Sequence, residues 1–424
     1  MMMHATLSAL FLGALLTVSL PASAVNLTIS CGTVGQERDF CEQATSAWAK
    51  ETGHQVTLAT PPKRSNERFF QYLIDLGQGD SRIDVYQIDI IWTGLMAKHF
   101  VDLKQYLSQA DIEQNFPAIV ANNTVDGHLV GMPWFTDVGL MYYRKDLLEK
   151  YGLSAPKDWS ELIDTALYIQ TQERKAGRAE MWGYVFQGAA YEGLSCNALE
   201  WIAAYDGGTV VDMEGAITID NPQAILAIAR AASWIDTVAP PQVLSFNEED
   251  AYQMFQSGNA VFMRNWPFAW ALLNAKDSPV ATKIGALTLP QGGAKGFPAS
   301  VLGGWQLAVS KYSKHPEVAA DLVRYLTSET VQKQRAIGGA YPPTIMRLYD
   351  DPEILAATPF LAKMRPAMQD AVARPVPQTG TDYMAVTTHF WEAVHKVLQG
   401  QGTATSNLQI LENRLRHVKF RGGW

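Results

Sequence analysis

Two tryptophans each follow an apolar segment that is typical of a buried strand. Trp266 follows AVFMRN at residues 260–265, and Trp305 follows SVLGG at residues 300–304. Ligands of open α/β sheets settle beyond the carboxyl ends of the strands, and indole faces suit the apolar faces of sugar rings. Both tryptophans are therefore candidate stacking surfaces at strand ends. The alternative is that each ring fills a hydrophobic core, as most single tryptophans do.

Carboxylates and arginines close to predicted strand ends could supply polar contacts to a ligand. Asp89 follows the predicted strand 83–88, and Asp137 follows a Trp-Phe pair at residues 134–135. They could accept charge-assisted hydrogen bonds from hydroxyl groups, or act together as the two carboxylates of a glycosidase. Asp89 could instead cap a helix that begins near residue 92. Arg64 and Arg374 lie in loops at the predicted cleft rim and could bind vicinal hydroxyls, or be solvated.

The sequence lacks the motifs of common catalytic and cofactor sites. It has no Gly-x-Ser-x-Gly elbow, no phosphate-binding loop and no dinucleotide fingerprint. Its eight histidines do not recur with metal-ligand spacing, and His389 and His395 fall on different faces of one predicted helix. We therefore predict a protein that is not an enzyme and that has no cofactor and no metal ion.

The elements that would position these residues form two α/β units. Residues 25–88 predict strand, helix, strand, helix, strand, the order of a doubly wound parallel sheet. Glycine and proline breaks near residues 127–137, 290–293 and 338–343 predict three crossings between two lobes. The first lobe is predicted to comprise residues 25–133 and 292–340, and the second lobe residues 134–291 and 341–424. Three connecting segments favour rigid-body closure on a small ligand.

The N-terminus, the charge and the cysteines indicate an exported chain. Residues 5–20 form an apolar run followed by Pro21 and Ala-Ser-Ala, so residues 1–24 are predicted to be a cleavable signal peptide. The formal charge of −8 argues against nucleic acid and anionic membrane surfaces as partners. In an oxidising compartment Cys31 and Cys41 could form a disulfide, which would leave Cys196 as a buried unpaired residue.

Four segments resemble the extracellular solute-binding proteins of ABC sugar importers, with the trehalose/maltose-binding branch as the best match. They are residues 135–148 (FTDVGLMYYRKDLL), 261–267 (VFMRNWP), 303–305 (GGW) and 313–317 (SKHPE). The resemblance implies a periplasmic-binding-protein-like α/β fold with two lobes, each with a central mixed or parallel sheet, joined by a three-segment hinge. It also implies a periplasmic, monomeric receptor that closes on a disaccharide and delivers it to the transmembrane permease subunits of an ABC importer.

The same resemblance assigns polar contacts to individual residues. Arg64, Asp89 and Asp137 match residues that bind sugar hydroxyls. Arg374 matches a contact from the closing lobe, and Glu37 matches a carboxylate at the first strand-to-helix turn. These five side chains are therefore expected to surround the ligand.

The aromatic and glycine positions complete the predicted site. Trp266 and Trp305 match the stacking surfaces, and Gly304 matches a point where the backbone approaches the ligand. Phe135 stands where relatives often carry tyrosine, so one hydroxyl contact is missing and the preferred sugar is left open. The sequence favours a disaccharide receptor, and the alternative hypothesis is a secreted carbohydrate-active hydrolase that uses Asp89 and Asp137.

Overall fold

The computed structural model describes residues 24–32, 34–293, 296–362, 364, 368 and 371–424. The predicted signal peptide, residues 1–24, lies outside this part of the chain except for its last residue. Among the described residues, no helix combines the length and the apolar character needed to cross a bilayer.

The strands of the described chain form two main sheets and a two-stranded ribbon. They are β1 Asn26–Ser30, β2 Gln55–Ala59, β3 Val85–Asp89, β4 Thr124–Val125, β5 His128–Leu129, β6 Met132–Val138, β7 Leu140–Arg144, β8 Trp182–Val185, β9 Ala260–Asn265, β10 Ile284–Thr288 and β11 Leu302–Val309. The order is β2-β1-β3-β11-β6 in the five-stranded sheet and β10-β7-β9-β8 in the four-stranded sheet. We call the five-stranded sheet with its helices the first lobe, and the four-stranded sheet with its helices the second lobe.

Helices connect the strands and cover the sheets. They are α1 Glu37–Thr52, α2 Ser65–Gly77, α3 Thr93–Met96, α4 Gln109–Glu113, α5 Pro117–Asn122, α6 Lys145–Lys150, α7 Trp159–Lys175, α8 Glu192–Ala204, α9 Pro222–Trp234, α10 Glu248–Gln256, α11 Ala269–Leu273, α12 Pro316–Leu326, α13 Glu329–Gly339, α14 Pro352–Ala357, α15 Val376–Thr379, α16 Tyr383–Leu398 and α17 Ala404–Gly422. Short 3₁₀ turns are Ala97–His99, Leu103–Gln105, Pro241–Ser245, Met346–Asp350 and Gly380–Asp382. Asn221 caps α9 and Pro222 is its first residue, which is the position in a helix where proline is favoured.

The first sheet is mixed in strand direction. β1 pairs in parallel with β2 and β3, whereas β11 runs antiparallel to both β3 and β6. Every residue of β3 and of β6 is buried, as expected for strands that are covered on both faces. The predicted opening order of strand, helix, strand, helix, strand is confirmed, and two strands from later in the chain complete the sheet.

The prediction that Trp305 follows the end of a strand is wrong. Trp305 lies inside β11, opposite Asp89 of β3 and Phe135 of β6. The two glycines before it do not end the strand, because Gly304 adopts a φ of 144° within it. A β-carbon at Gly304 would lie 3.0 Å from the carbonyl oxygen of Phe135, so glycine is what allows β6 and β11 to pair this closely.

The two sheets show where the chain crosses between the lobes. β6 stays in the first sheet as far as Val138, so the predicted boundary after residue 133 divides this strand. The predicted boundary after residue 291 falls between β10 of the second sheet and β11 of the first. Beyond the predicted boundary after residue 340, the carbonyl of Pro342 still accepts a hydrogen bond from Thr136 of the first lobe. The first and third crossings therefore come later in the chain than predicted.

Aromatic residues form much of the core of each lobe. In the second lobe the rings of Trp159 and Trp234 stack with their centroids 5.1 Å apart, and Trp201 meets Trp234 edge-on at 5.5 Å. In the first lobe Trp48 of α1 is buried and donates a hydrogen bond of 2.9 Å to Asp321 of α12. Because these aromatic side chains are densely packed, each lobe presents a firm wall to the space between them.

A disulfide joins Cys31, just after β1, to Cys41 in α1. The closed loop contains Glu37, the first residue of α1. Cross-linking a short loop restricts the conformations of the residues within it, so the bridge limits where the Glu37 carboxylate can lie. Cys196 is unpaired and buried.

Candidate functional site

A cavity of about 670 Å³, counting the space open to solvent at its mouth, lies between the two lobes. Eight of the nine predicted binding residues line it: Glu37, Asp89, Phe135, Asp137, Trp266, Gly304, Trp305 and Arg374. The structure thus gathers side chains that are up to 337 positions apart, from residue 37 to residue 374, around one space.

The remaining predicted residue, Arg64, does not line this cavity. Its side chain is 41% exposed, lies 4.0 Å from Glu67 and belongs to the residue before α2. One turn further on, Arg68 is buried and lines the cavity instead. Arg68 donates a 3.2 Å hydrogen bond to the carbonyl of Pro62, and its Nη1 atom is buried with no partner among the described residues. The correction follows from helix geometry, since residue 68 lies on the inward face of α2 and residue 64 precedes the helix.

Trp266 is held from several sides at the end of β9. Its backbone N–H donates to the Asn265 side chain at 2.9 Å, and its carbonyl accepts from the Tyr142 hydroxyl at 2.9 Å. The indole N–H donates to Glu248 at 3.4 Å, and the guanidinium carbon of Arg264 lies 3.9 Å from the ring centroid. Both the position and the tilt of this half-buried ring are therefore fixed before any ligand binds.

Trp305 is positioned mainly by the sheet. β11 pairs with a strand on each side, so the backbone at this residue is fixed. The ring of Trp92 meets the Trp305 indole edge-on at 5.5 Å, and the Arg68 guanidinium lies 4.9 Å from the ring centroid. The Trp305 side chain is half-buried and, like Trp266, faces the cavity. The two indoles thus contribute one aromatic surface from each lobe.

Gly303 allows the two lobes to meet beside the indoles. A β-carbon at this position would lie 3.1 Å from the Asp137 β-carbon and 3.2 Å from Cζ3 of Trp266. These separations are closer than ordinary van der Waals contact between carbon atoms. A larger residue at Gly303 would therefore push the Trp266 ring away from β11 and alter the floor of the cavity.

Asp137 presents an unused acceptor to the cavity. Its Oδ1 atom is buried and has no hydrogen-bond partner among the residues that the structure describes. Burial raises the pKa of Asp137 well above the ordinary value of 3.8, the Glu37 carboxylate raises it further, and the Arg335 guanidinium opposes both effects. A buried acceptor without a partner is costly, so a ligand that donates a hydrogen bond here would relieve that cost.

Glu37 approaches the cavity from the first turn of α1. The Gln87 amide donates a hydrogen bond of 3.3 Å to its Oε2 atom. Burial raises the pKa of the Glu37 carboxyl, while the positive charges of Arg68 and Arg335 lower it. Glu37 and Asp137 thus form a pair of carboxyl groups that share Arg335 as a nearby positive charge.

Arg374 joins both lobes through carboxylates. Its Nη2 atom donates to Asp89 of β3 at 3.0 Å, and its Nη1 atom donates to Glu192 of α8 at 3.2 Å. Glu192 also accepts hydrogen bonds from Thr387, at 2.8 Å, and from the Tyr383 hydroxyl. Asp89 is therefore engaged in an ion pair, and its Oδ1 atom also accepts a hydrogen bond of 3.2 Å from a backbone N–H two residues on.

Arg335 was not predicted and supports the aromatic wall from behind. Its guanidinium carbon lies 3.8 Å, 4.8 Å and 4.7 Å from the ring centroids of Trp134, Phe135 and Tyr341. Within the described part of the chain none of its guanidinium nitrogens has a hydrogen-bond partner, and burial lowers the pKa of Arg335 to about 10. The guanidinium is still charged at neutral pH, so it is held by the faces of the rings and by the nearby carboxylates.

Sequence reasoning also missed the residues that begin two helices of the second lobe. Glu192 starts α8 and Glu248 starts α10, and both line the cavity. Acidic residues are common in the first turn of any helix, so neither glutamate stands out. One signal was available: Asn247 is a typical helix cap, and it places Glu248 at a helix start only twelve residues before β9 begins. Trp266, a proposed stacking surface, directly follows β9.

The cavity has the side chains of a binding site rather than of a metal centre. No group of three or more histidine, cysteine, aspartate or glutamate side chains in the described ranges could hold a metal ion. Cys196 lines the cavity, but burial raises the pKa of its thiol, so it is not activated as a nucleophile. Two indoles, carboxylates and guanidinium groups around one cavity suit a ligand with apolar faces and a rim of hydroxyl groups.

Comparison with known proteins agrees with this geometry. A chain of T. maritima MalE3, solved with maltose bound, superposes with a TM-score of 0.89 at 36% sequence identity, over 93% of this chain and all of that one. The maltodextrin-binding protein MdxE of Bacillus subtilis is 25% identical over 306 residues, which are 70% of this chain and 69% of MdxE. The predicted two-lobed periplasmic-binding-protein fold is confirmed.

Sequence comparison also assigns the family. A "Probable ABC transporter-binding protein" of Deinococcus radiodurans is 48% identical over 402 residues, or 95% of each chain. The family model described as "Bacterial extracellular solute-binding protein" matches residues 35–333. This match covers well over half of the sequence, so the chain belongs to the bacterial extracellular solute-binding protein family.

Proposed function

We propose that this protein is a periplasmic receptor that binds a disaccharide of the trehalose or maltose type between its lobes. It hands the sugar to the transmembrane permease subunits of an ABC importer. It acts as a monomer, without a cofactor and without catalysing a reaction. The cleavable N-terminal signal predicted from the sequence would direct it across the membrane.

The observation that carries this proposal is the pairing of Trp266 and Trp305 across one cavity. One indole comes from each lobe, and Asp137 and Arg68, which line the same cavity, each have a buried hydrogen-bonding atom that no described residue uses. Pyranose rings have apolar faces and hydroxyl edges, so two rings could contact the indoles while their edges reach these polar groups. A ligand that touches both lobes favours the closed arrangement by its higher affinity for that state.

The relatives support the ligand class without fixing the sugar. The solved T. maritima MalE3 has maltose bound, and the Bacillus subtilis relative is named for maltodextrin. Phe135 offers no hydroxyl group to a ligand, which favours a sugar that needs no donor or acceptor at this point. An α-linked disaccharide of glucose is therefore the first ligand to test.

The contacts of Asp89 argue against the hydrolase alternative, although the raised pKa of Asp137 is a property that a general acid needs. A glycosidase needs one protonated carboxyl group and one free carboxylate on either side of the bond to be cleaved. Asp89 is instead paired with Arg374 and held by a backbone N–H. We therefore infer that Asp89 positions the Arg374 side chain at the ligand site. Release of glucose in the experiment below would instead indicate hydrolysis.

Calorimetry with the purified mature protein tests the proposal. Maltose, trehalose and sucrose are titrated separately, and cellobiose serves as a matched control because it differs from maltose only in the configuration of its glycosidic bond. We expect saturable binding of an α-linked disaccharide, a change in tryptophan emission and full recovery of the intact sugar. Absence of binding to every disaccharide contradicts the receptor, and release of glucose during incubation supports the hydrolase.

A further inference from the structure

Arg374 separates the main cavity from a second pocket. This pocket, about 330 Å³ including space open to solvent, is bordered by the apolar side chains of Ile90, Ile91, Leu302, Val376 and Pro377, and by Asn122. Among the described residues, Arg374 alone borders both spaces. Its side chain is therefore the partition where the main cavity ends on this side.

The partition is held firmly in place. The Arg374 guanidinium pairs with Asp89 on the first lobe and with Glu192 on the second, and it also donates to the carbonyl of Leu302 at 3.4 Å. Its side chain is only 3% exposed. Moving it aside would leave two buried carboxylates without their counter-charge, which is strongly unfavourable. A ligand cannot displace this arginine as it could displace a solvated side chain.

The second pocket would suit a further sugar ring if the partition were absent. Its walls are mostly apolar, and one side carries the amide of Asn122. That amide donates to the carbonyl of Ile90 at 3.0 Å, so its nitrogen is engaged. The apolar wall matches the face of a hexose ring, and the amide oxygen matches the hydroxyl groups at its edge. No tryptophan is among the described residues that line this pocket.

We propose that Arg374 sets the maximum length of the ligand. The cavity ends at this guanidinium, so a disaccharide that contacts Trp266 and Trp305 cannot be extended by a third ring past Arg374 into the second pocket. This inference rests on the proposed function and narrows it to disaccharides rather than longer α-glucans. Arg374 is thus a residue that determines specificity by size as well as a contact with the ligand.

Titration of the wild-type protein with maltose, maltotriose and maltotetraose is the first test. A third ring forced against a fixed side chain carries an overpacking cost, so we expect maltotriose to bind at least about tenfold more weakly than maltose. A wild-type protein that binds maltotriose as tightly as maltose overturns the inference. A protein that binds no sugar at all overturns the proposed function instead.

Variants then locate the limit at Arg374. The double variant Arg374→Ala with Glu192→Gln removes the partition together with one carboxylate that it leaves unpaired. We expect maltose to bind more weakly than to wild type, and the affinities for maltose and maltotriose to come within about threefold of each other. Circular dichroism checks that the variant is folded, and a folded variant with the wild-type affinity ratio overturns the inference.

A conservative variant and a control complete the experiment. Arg374→Lys keeps the charge but cannot pair with both carboxylates through a planar fork. The ratio of the affinity for maltose to that for maltotriose should therefore lie between the ratios of wild type and the double variant. A ratio equal to that of wild type contradicts the proposal even where the double variant does not fold. Arg82→Ala, which removes an exposed arginine paired with Asp80, is the matched control and should leave the ratio unchanged.

Discussion

The two walls of the cavity are built in different ways. On the first lobe, Trp305, Asp89 and Asp137 belong to strands of one sheet, and the ladder of backbone hydrogen bonds fixes where each side chain starts. On the second lobe, Trp266 follows a strand and Glu248 begins a helix. Their positions depend on hydrogen bonds between side chains and backbone, such as those of Asn265 with Trp266 and with Glu248.

This difference indicates how each wall should respond to substitution. A side chain that a sheet positions can be exchanged without moving its neighbours, because the backbone hydrogen bonds remain. A side chain that a polar network positions depends on every member of that network. We therefore expect single substitutions on the first wall to remove one contact, and substitutions around Trp266 to change the orientation of the ring as well.

The largest effect is expected from removal of either indole. Trp266→Ala and Trp305→Ala should each weaken binding of the preferred disaccharide by about 2 kcal/mol or more, because a large aromatic contact at the centre of a site is lost. Calorimetry gives the affinities, and thermal unfolding should show that both variants remain folded. If Trp266→Ala does not fold, this residue belongs to the core and not to the site.

A control variant separates loss of contact from general damage. Trp182 lies in β8, packs against Arg174 at 4.4 Å from its ring centroid and does not line the cavity. Trp182→Ala should leave sugar affinity unchanged. Equal losses of affinity in all three variants would show that removal of any tryptophan disturbs the lobes, and the comparison of the two walls would not stand.

Asp137→Asn tests the first wall because it should raise the stability of the protein and lower its affinity for sugar. The folded-state pKa of Asp137 is raised, so the stability that its protonation contributes is present below pH 3.8 and is lost as pH rises through the raised pKa. The amide carries no charge, so the ligand-free variant should be more stable than wild type at neutral pH by about 1–3 kcal/mol. The gain should shrink as pH falls towards 4. Urea unfolding at several pH values measures it.

The same substitution should reduce sugar affinity, since a neutral acceptor replaces one that can be charged. A variant that is both more stable and weaker in binding is the signature of a group kept for function. Asp277→Asn, at an exposed carboxylate, is the matched control and should change neither quantity. An unchanged affinity in Asp137→Asn would remove this residue from the site.

The sequence reveals the first wall more readily than the second. Asp89 and Asp137 could be predicted because a carboxylate within or after an apolar strand is unusual and strand periodicity gives its location. Glu192 and Glu248 could not, since acidic residues at helix starts are ordinary and their direction depends on how the helix packs. Arg64 could be predicted from its place in a loop, whereas Arg68 could not, because the direction of a side chain within α2 depends on how that helix packs.

Long-range pairing explains the other differences. Trp305 was placed at a strand end because two glycines usually interrupt a strand, and only the approach of β6 makes glycine necessary there. Arg335 could not be predicted because two of the three rings that it contacts, Trp134 and Phe135, are about 200 residues away in the sequence. The third ring, Tyr341, is close in sequence. The fold class, by contrast, follows from the alternation of strands and helices, which is local and survives errors of a few residues.

Glu248 offers a smaller effect that tests the polar network of the second wall. Its carboxylate accepts hydrogen bonds from the indole N–H of Trp266 and, at 2.7 Å, from the Tyr191 hydroxyl. Glu248→Ala should weaken sugar binding by about 1 kcal/mol, close to fivefold, because the ring loses one of the bonds that fix its tilt. Glu248→Gln keeps an acceptor oxygen and should restore most of the affinity. Equal binding by wild type and Glu248→Ala would show that the other contacts of Trp266 suffice.

The smallest effect is expected where the two walls meet at the mouth of the cavity. Lys63 of the first lobe lies 2.8 Å from Glu249 of the second, and their side chains are 64% and 39% exposed. Exposed ion pairs contribute little and are screened by salt, so Lys63→Ala should weaken binding by about threefold or less at low ionic strength. The difference should vanish near 1 M salt, where the screening length falls to about 3 Å.

A double-mutant cycle with Glu249→Ala distinguishes this contact from a general change of charge at the mouth. If the pair acts only when the lobes are closed, the two single variants and the double variant should lose the same affinity, because each removes the one interaction. Losses that add together would mean that Lys63 and Glu249 act separately, for instance by attracting or repelling the ligand as it enters. The mouth would then not join the two walls, and closure would depend on the ligand and on the Arg374 ion pairs.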